Sequence, residues 1–247
     1  MRQGSGGLGH TLTGAEPEAR TPVRRGWRRW WRWIIGAVVA LVVVAVAATG
    51  LVITLTPGPA PLALPKNVAA PSGSLAGTWR VAAGSLAGFR VRETVIGFSN
   101  DVTGRTGDVT GTVTLTSAAI SRATFRVRLA AISVNGKTGQ PQLVKSLRVT
   151  THPVATISLT RPVPLPPAFS TGAVVSRTAN ATLTLNGVTR AVAVTLSARR
   201  DGTAIEAAGS LPVTFSAFHI SGPGGFGLLG SLASHGTAEF LLILRPE

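Results

Sequence analysis

Seven acidic side chains follow residue 33 of this 247-residue chain: Glu93, Asp101, Asp108, Asp201, Glu206, Glu239 and Glu247. Two carboxylates brought together would serve general acid/base chemistry. Asp201 precedes Gly202 in a turn pair and Glu247 is the last residue, which leaves five widely spaced candidates and makes an enzyme a poor reading. His219 and His235 flank a Gly-rich stretch and could begin a metal site. With no Cys in the chain and only Glu239 nearby, a set of four ligands is hard to complete. Gly222-x-Gly224-x-x-Gly227 spells the dinucleotide fingerprint, but that motif needs a preceding strand, a following helix and an acid about 20 positions on. Pro223 lies inside it and a strand pattern follows, so it is rejected. The same glycines, with Phe226, Leu228, Leu229 and Leu232, make Ser221 to Ser234 either a gating or lipid-touching loop or a plain connection. Asn180-Ala181-Thr182 is a glycosylation sequon at a strand start, expected to be unmodified.

The elements that must position any site are strands. Apolar and polar residues alternate along Phe89 to Arg92, Val109 to Thr116 and Thr124 to Leu129, then through Ala155, Ile157 and Leu159. The pattern returns in Ala181 to Leu185, Val192 to Leu196, Ile205 to Phe215 and Ala238 to Leu244. A period of two marks a strand with one buried face. Asn186-Gly187 and Asp201-Gly202 are preferred pairs for two-residue hairpin turns, so the strands they join are antiparallel neighbours. Pro141 to Leu147 is the single helix candidate of this region, with Pro141 suited to a first helical position. About eight strands with short turns predict an all-β antiparallel barrel or sandwich over residues 77–246. Small barrels of about eight strands either pack their interior or hold one small ligand, and alternation cannot separate the two.

Several segments resemble the YceI-like family. Gly77-Thr78-Trp79-Arg80-Val81 with Ser85 and Phe89-Arg90-Val91 is similar to its opening strand pair. Gly104-Arg105-Thr106 and Val109 to Leu115 resemble its next segment, and His152-Pro153-Val154-Ala155-Thr156-Ile157 its aromatic-Pro step. The most specific match is Ala181 to Arg190, similar to its "G-x-L-T-(x)-(H/R)-G-V-T-(K/R)" hairpin. The resemblance implies a lipocalin-like up-and-down barrel whose apolar interior takes an isoprenoid lipid, a polyprenyl or quinone-type chain, without catalysis. On that reading the lining is Phe89, Val91, Phe125, Val127, Leu129, Ile157, Leu183, Leu185, Val194, Phe215 and Phe240. Ala82, Gly84 and Glu93 stand where the family often carries Asp or His, so Arg80, Arg92 or Arg105 is assigned to an anionic head group from charge alone.

The chain carries a net charge of +15, of which seven Arg and two Glu in residues 1–33 supply 7 − 2 = +5 and the rest +10. That suits anionic partners of any kind, and a second reading is an envelope interaction module with a filled β-domain that binds anionic polymers. Residues 34–55 are uncharged and apolar, long enough to cross a hydrocarbon core of about 30 Å as a helix. Arg24, Arg25, Arg28, Arg29 and Arg32, interleaved with Trp27, Trp30, Trp31 and Trp33, precede it. Clustered Arg stays cytoplasmic and Trp sits at the interface. Such a cluster also suits nucleic acid, but its place beside an apolar span favours the membrane and no nucleic-acid partner is expected. The expected protein has a disordered cytoplasmic tail, a single-pass cell-membrane anchor, a Pro-rich linker over 56–76 and a β-domain outside. Cleavage of the segment as a signal peptide at Ala45-Val46-Ala47 is the alternative.

Overall fold

The strands read from alternation form in this chain because each can turn its apolar residues to a common interior. A computed structural model describes residues 37–45, 58–95, 98–221 and 230–247. Two units divide at residue 47. In the first, residues 37–45 are helical with exposed side chains. Among the described residues no helix is long and apolar enough to cross a membrane. The expected tail 1–33 and the rest of the 34–55 segment lie outside the described residues.

Among the described residues, the second unit holds all the strands. They are β1 (Gly77–Val81), β2 (Leu86–Val95), β3 (Phe98–Thr106), β4 (Val109–Leu115), β5 (Ala119–Arg128), the short β6 (Ser133–Val134) and β7 (Lys137–Thr138), and β8 (Val154–Leu159). The short β9 (Val163–Pro164), then β10 (Val175–Leu185), β11 (Val188–Asp201), β12 (Ala204–Thr214), the short β13 (Gly230–Leu232) and β14 (His235–Pro246) complete the set. Eight of these, β1, β4, β5, β8, β10, β11, β12 and β14, pair antiparallel in that order, and β14 pairs back to β1. The sheet is a closed barrel. Closure removes the unpaired edges that an open sheet would present.

β2 and β3 extend β1 and β4 toward one end. β14 pairs first with β2 and then with β1, while β2 pairs with β3. From Val81 to Leu86 the chain advances five residues, but the opposing strand moves only three, from Leu244 to Leu241, so a short loop bulges out. Buried Ser85 stitches this gap, its Oγ donating to the Ala82 carbonyl at 2.8 Å and accepting from the Ile243 amide at 2.9 Å.

Turn chemistry follows the sequence closely. Asn186 and Gly187 both take positive φ, 54° and 78°, as a hairpin of that type requires. Buried Asn186 also donates through Nδ2 to the carbonyls of Phe218 and His219, at 3.0 and 2.9 Å. The β11–β12 turn is displaced by one residue from the expected Asp201-Gly202 pair. Asp201 pairs with Ala204 inside the ladder, so the loop is Gly202-Thr203, and the Asp201 carboxylate is released to accept the Ala69 amide. The helix runs Pro141–Ser146, started by its proline.

Residues 58–76 do not stand away as a spacer. Carbonyls of Pro59, Ala60, Pro65, Asn67, Ser72 and Gly73 accept from Arg90, Arg105, Arg199 and Arg200. The amides of Leu62 and Ala69 donate to Glu239 and Asp201. Proline has no N–H to offer, but its carbonyl remains an acceptor, so a Pro-rich segment suits arginines on a barrel wall.

Candidate functional site

Which residues enter the barrel follows from pleat parity. In β2 the inward set is Ala87, Phe89, Val91 and Glu93; in β5 it is Ala123, Phe125 and Val127. β8, β10, β11 and β14 continue it with Ala155 and Ile157, alternate residues from Ala181 to Leu185, from Val194 to Ala198, and from Ala238 to Leu244. These side chains do not fill the interior. They surround a cavity of about 820 Å³. All eleven residues named from the sequence, Phe89, Val91, Phe125, Val127, Leu129, Ile157, Leu183, Leu185, Val194, Phe215 and Phe240, stand on its wall.

The rings remain at the wall because glycines receive them. Gly104 is opposite Phe89, Gly111 opposite Phe125 and Gly209 opposite Phe240. A Cβ at these glycines would lie 2.4 Å from Phe89 Cε1, 2.6 Å from Phe125 Cδ1 and 2.7 Å from Phe240 Cζ. Each ring thus lies down across its neighbouring strand where a side chain is missing. Val, Leu, Ile and Ala supply most of the remaining wall.

The two ends differ. At one, Leu75, Trp79, Phe169, Val175, Leu115 and Leu244 form a buried apolar core. Trp79 is 2% exposed and Phe169 1%, and the Trp79 indole donates to the Leu75 carbonyl at 3.0 Å. Phe169 arrives on a 3-10 turn, Pro167–Phe169. At the other end Glu93, Asn135, Gln140, Gln142, Ser146 and Ser231 join the lining, with Leu143, Leu147 and Leu232 between them. We call this end the mouth. Residues 222–229, most of the Gly-rich loop singled out in the sequence, lie outside the described residues; Leu232 is on the cavity wall.

The arginines assigned by charge do not enter the lumen. Arg92 and Arg105 alternate with inward residues and therefore point outward, Arg92 to Asp101 at 3.3 Å and Arg105 to Glu239 at 2.9 Å. Arg80, at the closed end, meets Glu247. That mutual hydrogen bond holds the Arg80 guanidinium above and the Glu247 carboxyl below their ordinary ranges, on an exposed part of the surface. Polar amides and one carboxylate, contributed partly by the irregular segment after β5, take the place at the mouth that was given to arginine.

Most acids are engaged on the outer wall. Asp101 faces Arg90 and Arg92, Asp108 faces Arg128, and Glu206 meets Arg199 at 2.8 Å with both side chains 7% exposed. Glu239, 4% exposed, holds Arg105 and Arg90. No cluster of His, Cys, Asp and Glu fit for a metal exists among the described residues, and His219 and His235 form none. What the arrangement offers is a long apolar chamber with an amide-rich opening.

Comparison with known proteins agrees with this geometry. A polyisoprenoid-binding domain from Saccharophagus degradans has the same fold at a TM-score of 0.54 and 17% identity, covering 68% of this chain and 98% of that one. Burkholderia cenocepacia BcnA aligns at a TM-score of 0.48 and 19% identity over 63% of this chain and 95% of its own. A search of curated proteins finds no match. The YceI-like domain matches residues 79–235, more than half of the chain and nearly all of the barrel, and the protein therefore belongs to the YceI-like family.

Proposed function

We propose that the barrel binds an isoprenoid lipid, a polyprenyl or quinone-type chain, with its tail in the chamber and its polar end at the mouth, and performs no catalysis. The observation that carries this is the hollow, apolar interior of 820 Å³, closed at one end and polar at the other. That volume is in the range of sites that enclose small molecules, about 300–1,000 Å³. Burying an alkenyl chain at about 25 cal/mol per Å² supplies ample driving force without any ion pair in the lumen. The fold shared with a polyisoprenoid-binding domain supports the choice of lipid class. Glu93, Gln140 and Gln142 are placed to meet a polar or hydroxylated end. The chamber favours this reading over the competing one, a filled β-domain acting only through its basic surface.

We further propose that residues 34–55 anchor the protein in the cytoplasmic membrane, with the barrel outside it. Arg and Trp before an uncharged apolar span support that orientation. Organic extraction and mass spectrometry of the full chain, purified from a membrane-containing host, test the lipid reading. Near-stoichiometric isoprenoid is expected; its absence from repeated preparations would remove the proposal.

A further inference from the structure

The Pro-rich segment has a direction on the barrel. At the closed end, the Ser72 amide donates to the Gly202 carbonyl, the Ala69 amide to Asp201, and Arg200 binds the Gly73 carbonyl at 2.9 Å. Two residues farther along β11, Arg199 holds Asn67 at 3.2 Å while paired to Glu206. Farther on, Leu62 donates to Glu239 and Arg90 reaches the Pro59 carbonyl at 2.6 Å. At Gly58 a Cβ would be 3.1 Å from the Asp101 carbonyl. Asp101 is three residues from the mouth-side end of β3 at Phe98, about 10 Å at strand rise. Followed backward from β1, the chain therefore climbs the outer wall from the closed end and stands on the mouth side at Gly58.

The chemistry of the strap makes that course durable. Glu206 and Glu239 are buried beneath it, and each keeps an arginine that also binds a strap carbonyl. Peeling the strap away would expose two ion pairs and strip their guanidinium groups of backbone acceptors, a costly change for buried charge. Only residues 56 and 57 separate Gly58 from the apolar run that ends at Leu55. Three residue steps span about 10 Å at most. β11, 14 residues long, measures about 45 Å at strand rise. Measured from Gly58, that reach covers the mouth side and falls short of the closed end.

We propose that the strap docks the barrel mouth-first on the bilayer in which residues 34–55 are anchored, so that the lipid surface is the partner of the mouth rim. This rests on the anchor and lipid readings above. Exposed Lys137, Lys145, Arg148 and Arg190 stand around that rim and suit anionic head groups. Charge does not choose the end by itself, since Arg122, Arg161, Arg177 and Arg245 lie toward the closed one. The strap makes the choice. Lipid would then enter the chamber from the membrane without crossing water.

Because the chain has no Cys, single labels are clean. Lys145→Cys at the mouth and Ser117→Cys in the exposed β4–β5 turn at the closed end would carry a fluorophore on the full chain, reconstituted in phosphatidylglycerol-containing vesicles with head-group spin-labelled lipid. Quenching several-fold stronger at position 145 than at 117 is expected, and a long Gly/Ser insertion after Pro57 should weaken it. Equal quenching, stronger quenching at 117, or failure of the full chain to insert would overturn the proposal. Lipid extraction on the same samples separates the two readings. Bound isoprenoid with quenching at 117 overturns the orientation alone, whereas strong quenching at 145 without bound lipid supports the orientation and removes the lipid reading.

Discussion

The closed end and the mouth are built from the same alternating strands yet do opposite things with their interior. At the closed end Trp79, Phe169 and Leu75 converge in one buried cluster. Along the chamber the inward residues are as apolar, but glycines take up the Phe rings, and toward the mouth Leu129, Ile132, Leu147, Val149 and Phe218 from connecting segments pack against the wall. Whether a barrel is solid or hollow thus depends less on the hydrophobicity of its lining than on where large side chains find room. One end supplies stability, while the other leaves apolar surface available to a ligand.

The strongest way to break this contrast is to remove the plug. Trp79→Ala should lower unfolding free energy by about 3–5 kcal/mol, as large-to-small changes in packed cores do. Urea denaturation would show a fall in midpoint with an unchanged slope. A loss comparable to that of a wall substitution would mean that the closed end is not a core at all. Next in size is Arg199→Ala, which leaves buried Glu206 without its partner and should cost about 3 kcal/mol. The double change Arg199→Met with Glu206→Leu should recover most of it, since removing both charges avoids the stranded carboxylate.

Gly104→Val sharpens the comparison from the mouth side. Its side chain would collide with Phe89 and Ile132, costing about 1–3 kcal/mol by overpacking and turning the ring into the lumen. Extracted lipid should fall with it. Ala155→Trp places an indole directly into the chamber, where space already exists, so the thermal midpoint should change little while bound lipid is lost. A variant that kept full lipid would show that the ligand lies elsewhere. The smallest effect is expected from Glu247→Gln. Its carboxyl is held low by Arg80, so the pair contributes above the ordinary carboxylate pKa and fades as pH falls through the lowered value. On the exposed surface this is screened, and no measurable change in Tm is expected at neutral pH.

Much of the barrel was legible in the sequence. Alternation identified β2 and seven of the eight strands that close the ring, with β1 marked only by the family resemblance, and the eleven lining residues all stand on the cavity wall. Asn186-Gly187 marked its hairpin because positive φ at both positions admits few residues. The plug was not legible: Phe169 lies in a Pro-rich connection with no period to betray burial. Gly104, Gly111 and Gly209 carried a signal, since glycine inside a strand often marks close approach, but their partners are known only once the register is set. The head-group arginines were misplaced for a related reason. Charge suggested them, while parity, which governs where they point, sends them outward.

By itself the sequence determined an all-β domain with a short helix, the face each strand buries and the residues at its tightest hairpin, because those properties rest on neighbours a few positions apart. Tertiary structure decided ring closure, the empty chamber, the pairing of each acid and the course of the strap. Those rest on meetings such as Arg199 with the carbonyl of Pro65, 134 positions away. No local period encodes such a meeting. It arises only when closed strands bring a wall of arginines to a segment whose prolines leave carbonyls free to accept.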